Sequence, residues 1–417
     1  MIRGSLWRHR DFRQLWAGET VSQFGTSISH VALPLVAVGA LAATPFEMGL
    51  LSAAETVAFL LIGLPAGAWV DRMRRRPLML RADLGRALLL ASVPLAWWFD
   101  VLTLPHLLLV ALLTGVLTVF FDVAYQSYLP TLVGREHLVE GNAKLETSRA
   151  VAQVSGPALG GGIVQLVSAA NAVLITGFGY LLSALFLWRI RAPEQAPTRP
   201  AGARLRTEIG EGLRFVLGNP LLRAITACTA SLNFFGSIST ALLVLFLSRE
   251  LGLSESAVGA VLACTGVGSF LGAFTATWWS RTFGQARTIW LVMLVTLPFG
   301  LLLPLARPGW AAVLAGLALL TNTYGGVVYN VAQVSFRQTI CPDHLLGRMN
   351  ASIRFLVWGV LPLGSLFGGV LGEWLSVRGA LWVAAAGSFL ALVWLLTSPL
   401  RGMRDLPQDR SEVTTEA

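Results

Sequence analysis

Apolar residues in this chain fall into long blocks, not into the short alternations of a half-buried strand. About 20 mostly apolar residues cross a hydrocarbon layer ~30 Å thick as one helix. Twelve such helices are expected, at roughly 12–40, 46–70, 77–99, 105–131, 142–168, 171–190, 221–248, 255–280, 286–306, 309–336, 349–374 and 379–398. The first block follows a basic stretch but carries Glu19, Gln23 and His30 and lacks a small-residue cleavage site. It therefore reads as a spanning helix, not a removed leader.

The one long polar stretch is 192–218, where Pro193, Pro197 and Pro200 precede an amphipathic segment. Leu205, Ile209, Leu213 and Val216 fall on one face of that segment, as in a helix lying at an interface. The expected organisation is an all-α integral membrane protein. It has a six-helix bundle at 1–191, a linker at 192–218, a second six-helix bundle at 219–399 and a polar tail at 400–417.

The two bundles resemble each other at an offset of about 210 positions. Ser27-Ile28-Ser29 returns as Ser237-Ile238-Ser239 and Phe24 as Phe234; Asp122-Val123-Ala124 returns as Asn330-Val331-Ala332. Gly156, Gly160 and Gly161 return as Gly364, Gly368 and Gly369. Two pseudo-symmetric halves imply a site near the bilayer midplane between them, served by rocking of one half against the other.

Charge sets the orientation. Of 31 basic residues, all but Arg249, Arg307 and Arg378 fall on the side that holds both termini. The positive-inside rule makes that side cytoplasmic, here of a bacterial inner membrane. In a soluble protein, a net charge of +9 would suggest a nucleic-acid partner. Placed in short juxtamembrane loops, it instead faces anionic lipid headgroups, and no nucleic-acid partner is expected.

Composition agrees: 55% of residues are hydrophobic and 13% charged, against about a quarter charged in soluble domains. Cys228, Cys264 and Cys341 are isolated and read as free thiols. No phosphate-binding loop, metal-ligand cluster or nucleophile arrangement is present, so no enzyme, cofactor or metal is expected.

Four segments carry a family resemblance. Gly67 to Arg76, with Asp71, Arg72 and Arg75 in register, resembles the GxxxD-R/K-x-G-R-R/K loop of the major facilitator superfamily, Arg74 standing in the glycine place. Gly156-Pro157-Ala158-Leu159-Gly160-Gly161 resembles the core of the superfamily's antiporter motif, with Ala143 and Ala152 at its upstream glycine positions. Arg13 to Trp16 and Phe121 to Pro130 resemble the exporter subfamily of macrolide efflux proteins and the enterobactin exporter. The resemblance implies a secondary transporter.

It also implies a conformational latch built from Gly67, Asp71, Arg72 and Arg75, to which Asp83 and Arg86 add charge. Asp71 would meet the positive end of the eleventh helix, around Gly347 to Asn350. For Arg74 and Arg76 a purely topological role is expected. Gly156, Pro157, Gly160 and Gly161 would form a close-packed, kinked hinge or seal.

Ionisable residues inside spans are the candidates for ion coupling. Glu55 lies about 13 Å into its span, near the middle of the membrane, where desolvation favours a protonated carboxyl. Asp122 ranks second, followed by Glu19 and His30. Each also has a structural reading, as a group held by a neighbouring helix. Cavity candidates are Gln23, Gln126, Asn233, Asn322, Tyr324, Tyr329 and Asn330, with Phe234 supplying apolar, aromatic surface.

The expected function is proton-coupled export of a hydrophobic small molecule such as an antibiotic or siderophore, by a monomer in contact with membrane lipid. Import or uniport on the same architecture, and a non-transporting membrane sensor or assembly partner, are the alternatives. Asp71→Asn should impair transport cycling at unchanged protein level in the membrane, measured as flux per immunodetected protein; normal flux would remove Asp71 from the latch.

Overall fold

A computed structural model describes residues 6–70, 72–134, 137–192, 194, 205–342 and 345–405. The first half contains α1 (Arg10–Gly39), α2 (Pro45–Val70), α3 (Arg75–Trp98), α4 (Leu104–Val133), α5 (Leu138–Val167) and α6 (Ala169–Arg189). The linker holds α7 (Leu205–Gly218). The second half contains α8 (Pro220–Leu245), α9 (Glu255–Phe283), α10 (Gln285–Thr296), α11 (Leu302–Leu305), α12 (Val313–Ile340), α13 (Leu346–Trp358), α14 (Leu361–Leu375) and α15 (Val377–Leu396).

Eleven segments among the described residues are long and apolar enough to cross a membrane. The twelfth span is α3, whose apolarity is lowered by Asp83 and Arg86, and which packs along α4 and α6. Two spans are broken in ways the apolar pattern did not suggest. A 3-10 turn at Leu297–Leu301 separates α10 from α11, and Gly359 and Val360 separate α13 from α14.

The spans run between two ends, one carrying both termini and α7, the other a far end. At the far end the turns are tight. Ser168 alone joins α5 to α6, and Ser376 alone joins α14 to α15, with φ of 80° and 83°. These left-handed serines occupy equivalent places in the two halves and reproduce the repeat.

Burial is unequal between the two ends. At the far end one continuous apolar core joins Val31 to Val38, Met48 and Leu51 of the first half to Ile238 and Leu242 to Leu247 of the second. At the terminus-bearing end the halves keep separate cores. Phe12, Met79, Tyr128 and Leu187 belong to one, while Ile225, Ile289, Phe336 and Leu395 belong to another. There α7 docks on the second half through buried Val216, beside Met349 and Ile353, and an Arg348–Glu211 ion pair.

The first half is locked internally by a buried charge. Asp83 and Arg86 form an ion pair one helical turn apart, both buried. The Arg86 guanidinium lies 4.4 Å from the Phe121 ring centroid and 4.2 Å from that of Tyr180, so α3 is tied to α4 and α6. Removing one partner of such a pair leaves a charge with no counterion. Asp83→Ala should therefore cost about 3–5 kcal/mol. Melting of the detergent-solubilised protein should fall, and Asp83→Ala combined with Arg86→Leu should recover part of the loss.

Candidate functional site

The halves touch along seams made by glycine. Gly161 of α5 faces Gly259 of α9 so closely that a Cβ added at Gly161 would sit 2.8 Å from the Gly259 Cα. The second seam repeats the device, with a Cβ at Gly49 of α2 lying 2.7 Å from the Gly369 Cα of α14. Hydrogen bonds reinforce this closure. Arg249 donates to the carbonyls of Ala43 (2.8 Å) and Val38 (3.1 Å), Phe46 N–H donates to Glu373 (3.2 Å), and Ser52 pairs with Ser365 (3.0 Å).

Beneath these seams lies a cavity of about 720 Å³ between the halves. The first half supplies Ser27, His30, Ser52, Glu55, Gln153 and Pro157 to its wall; the second half supplies Asn233, Thr240, Thr265, Ser269, Thr296, Asn322, Thr323 and Ser388 among its polar groups. Aliphatic side chains, methionine, proline and glycine fill the remainder. Among the described lining residues there is no arginine, lysine, phenylalanine, tyrosine or tryptophan, and Glu55 is the one acid. Its carboxyl has no hydrogen bond or ion pair to a described residue, so its four acceptor sites are available to an occupant.

Several expected residues lie elsewhere. Glu19 is buried in α1, where one carboxyl oxygen accepts from Gln23 Nε2 at 2.7 Å and the other has no hydrogen-bond partner among the described residues. Gln23 is thus committed to Glu19 and does not line the cavity. Asp122 is half-buried in α4, with Arg86, Arg149 and Arg354 as its cationic neighbours. Gln126 is exposed on α4, outside the lining.

The aromatic candidates bridge helices. The Tyr324 hydroxyl accepts from Trp279 Nε1 (2.7 Å) and Thr275 (3.1 Å), joining α12 to α9. Tyr329 shares a hydrogen bond with Thr229 (2.7 Å) and is buried against α8. Phe234 packs on Phe235 and Phe367, with centroids at 5.3 and 5.7 Å. Asn330 is exposed on α12 and accepts from Gln333. The aromatic cavity expected from the sequence is therefore replaced by one lined with aliphatic and hydroxyl groups, because the rings are consumed in helix packing.

Among the described residues the charges expected around the loop motif do not gather into one cluster. Asp71 lies outside the described residues, and Gly67 is described only as part of α2. Arg72 is exposed, Arg75 reaches Thr131 of α4 at 3.2 Å, and Asp83 with Arg86 sits inside the first half, away from that loop. Arg76 does more than set topology: its guanidinium donates to the Leu187 and Trp188 carbonyls at the end of α6. The glycine motif serves two partners, Gly156 and Gly160 packing on Ser27 and Ile28 of α1, and Gly161 on α9.

Two contributions went unrecognised in the sequence. Glu194 accepts from the backbone N–H groups of Arg75 and Arg76, placing a carboxylate at the positive end of α3. Arg249 and Glu373 join the halves at the far end; the placement of Arg249 among three basic residues off the terminus-bearing side was the one available hint.

Comparisons with known proteins give a consistent answer. Residues 5–416 match the family described as transmembrane secretion effector, and the chain belongs to that family within the major facilitator superfamily. The multidrug efflux pump Tap of Mycolicibacterium fortuitum is 27% identical over 84% of this chain and 86% of its own. The enterobactin exporter EntS of Salmonella choleraesuis is 28% identical over 82% and 81%. The crystal structure of a mutant of the nucleoside transporter NupG superposes with a TM-score of 0.78 at 12% identity, over 93% of this chain and 99% of that one. The fold is the major facilitator fold, and the chain is a multi-pass membrane transporter of small molecules, not an enzyme.

A larger residue at the α5–α9 seam cannot be accommodated. Gly259→Val should loosen far-end closure. With a single cysteine at position 52 in a background lacking the three native cysteines, labelling from the far side by an impermeant maleimide should rise severalfold. Unchanged labelling would mean that the seam does not hold the closure.

Proposed function

We propose that the chain is a proton-coupled exporter of lipophilic small molecules, working by alternating access. Glu55 carries this reading: an acid without a partner among the described residues, on the wall of a cavity between two halves, at mid-membrane depth. A carboxyl so placed binds and releases a proton as its exposure changes. His30 lines the same cavity and is positioned to share that proton. Glu19 and Asp122, buried or half-buried in the same half, are the secondary proton sites.

The terminus-bearing end faces the cytoplasm in this reading, supported by the distribution of basic residues. The far-end seams then close the periplasmic side, and the separate cores at the other end let the halves part toward the cytoplasm. An exporter loads its substrate from that side. The surrounding membrane is a bacterial inner membrane, lipid contacts the exposed apolar faces, and the working unit is a monomer. The export direction is supported by two relatives, a multidrug efflux pump and an enterobactin exporter.

The test is a toxicity panel in a host stripped of its own efflux pumps, comparing wild type, Glu55→Gln and empty vector with and without a proton uncoupler. Wild type alone should protect, by at least about fourfold in inhibitory concentration, and the uncoupler should erase that protection. Full protection by Glu55→Gln would remove Glu55 from coupling. No protection by well-expressed wild type would favour import or uniport.

A further inference from the structure

Six of the hydroxyls on the second half's cavity wall are committed as donors. Thr240, Ser269, Thr296 and Ser388 each donate to a backbone carbonyl four residues back, at 3.1, 2.9, 2.8 and 2.8 Å. Thr265 donates to Leu262 at 2.7 Å, and Thr323 donates to Leu319. The Asn233 amide spends an N–H on the Val357 carbonyl at 2.6 Å. A hydroxyl whose hydrogen is held this way offers an occupant only its lone pairs. The second half therefore presents a wall dominated by acceptors, Ser239 and the Asn322 amide being its uncommitted donors among the described residues, and the first half adds the carboxyl of Glu55, also an acceptor when ionised.

We infer that the cavity selects an organic cation rich in N–H or O–H donors, its charge held by Glu55 and its donors by the hydroxyl oxygens of α8, α9, α10, α12 and α15. The inference deepens the transport reading and rests on it only in taking this cavity as the substrate's place. An anionic occupant, such as a polycatecholate, meets one acid and no arginine or lysine among the described lining residues, its hydrogen bonds coming from uncharged donors such as the Gln153 and Asn322 amides. The chain thus parts from its siderophore-exporting relatives in what it carries. A carboxyl that holds a proton in the empty cavity and a cation in the filled one exchanges the first for the second.

Three dyes of one scaffold separate donors from charge. Rhodamine 123 is a cation with N–H donors, tetramethylrhodamine methyl ester is the same cation with those hydrogens replaced by methyl, and fluorescein methyl ester is anionic. Binding to the purified protein in nanodiscs, without any gradient, is read by fluorescence polarisation. Rhodamine 123 should bind at least about fivefold tighter than the methylated cation, and at least about tenfold tighter than the anion. Glu55→Gln should weaken both cations by a similar factor. Thr265→Val with Ser269→Ala should bring the ratio of the two cations toward one, with Thr296→Val as the substitute if that variant fails to elute as a single species.

Equal affinity for the two cations, tighter binding of the anion, no binding of rhodamine 123, or an unchanged ratio in the hydroxyl variant would each overturn the inference. The last outcome would assign any preference to the bulk of the methyl groups. Failure here leaves proton-driven export standing, and failure of the toxicity panel leaves these affinities standing.

Discussion

The approach of two backbones without side chains between them is the constraint on which this molecule depends. At Gly161 against Gly259, and at Gly49 against Gly369, paired helices come closer than any Cβ would allow. Inside a bilayer, apolar surface gains little by leaving lipid, so packing contact and hydrogen bonds must hold helices together. The two seams concentrate that contact at the far end, together with the Arg249 and Glu373 bonds. Because the same halves share no core at the other end among the described residues, the cavity is roofed on one side.

The halves have the same architecture but different chemistry. The first half buries Glu19, Asp83 and Arg86, while the second uses tyrosines, tryptophan and hydroxyls to tie its helices. Asp83 and Arg86 neutralise each other and are clamped between two rings, so they contribute rigidity to the first half. Among the described residues Glu55 lacks such a partner, and it is the one acid on the cavity wall. The division gives a charged half that holds position and one carboxyl left free to respond.

Much of the fold was legible in the sequence because the bilayer simplifies the code. Twelve apolar blocks, a polar linker and a repeat near one offset fix helix number and symmetry. One glycine of each seam stood out for the same reason, since Gly156, Gly160 and Gly161 recur as Gly364, Gly368 and Gly369, whereas their partners Gly259 and Gly49 did not. Rotation about each helix axis was not legible. In a buried bundle both faces of a helix are apolar, so Tyr324, Tyr329 and Gln23 could not be assigned to cavity or packing until their partners were known. Glu194 and Arg249 were hidden for a different reason: each acts on backbone groups far away in sequence, which leave no pattern among side chains.

The single-residue turns at Ser168 and Ser376 have a mechanical consequence. With φ near +80° and no spare chain, neither turn can lengthen or swivel. The α5–α6 and α14–α15 hairpins must each turn as one lever. One arm of the first hairpin, α5, and one arm of the second, α14, are the helices that carry the glycine seams. Any parting of a seam is therefore carried to the outer arm, α6 or α15, and so to the bundle's periphery. The stiffness of the surrounding lipid enters as a load on the stroke, and membrane composition would tune the turnover of this transporter without touching its binding site.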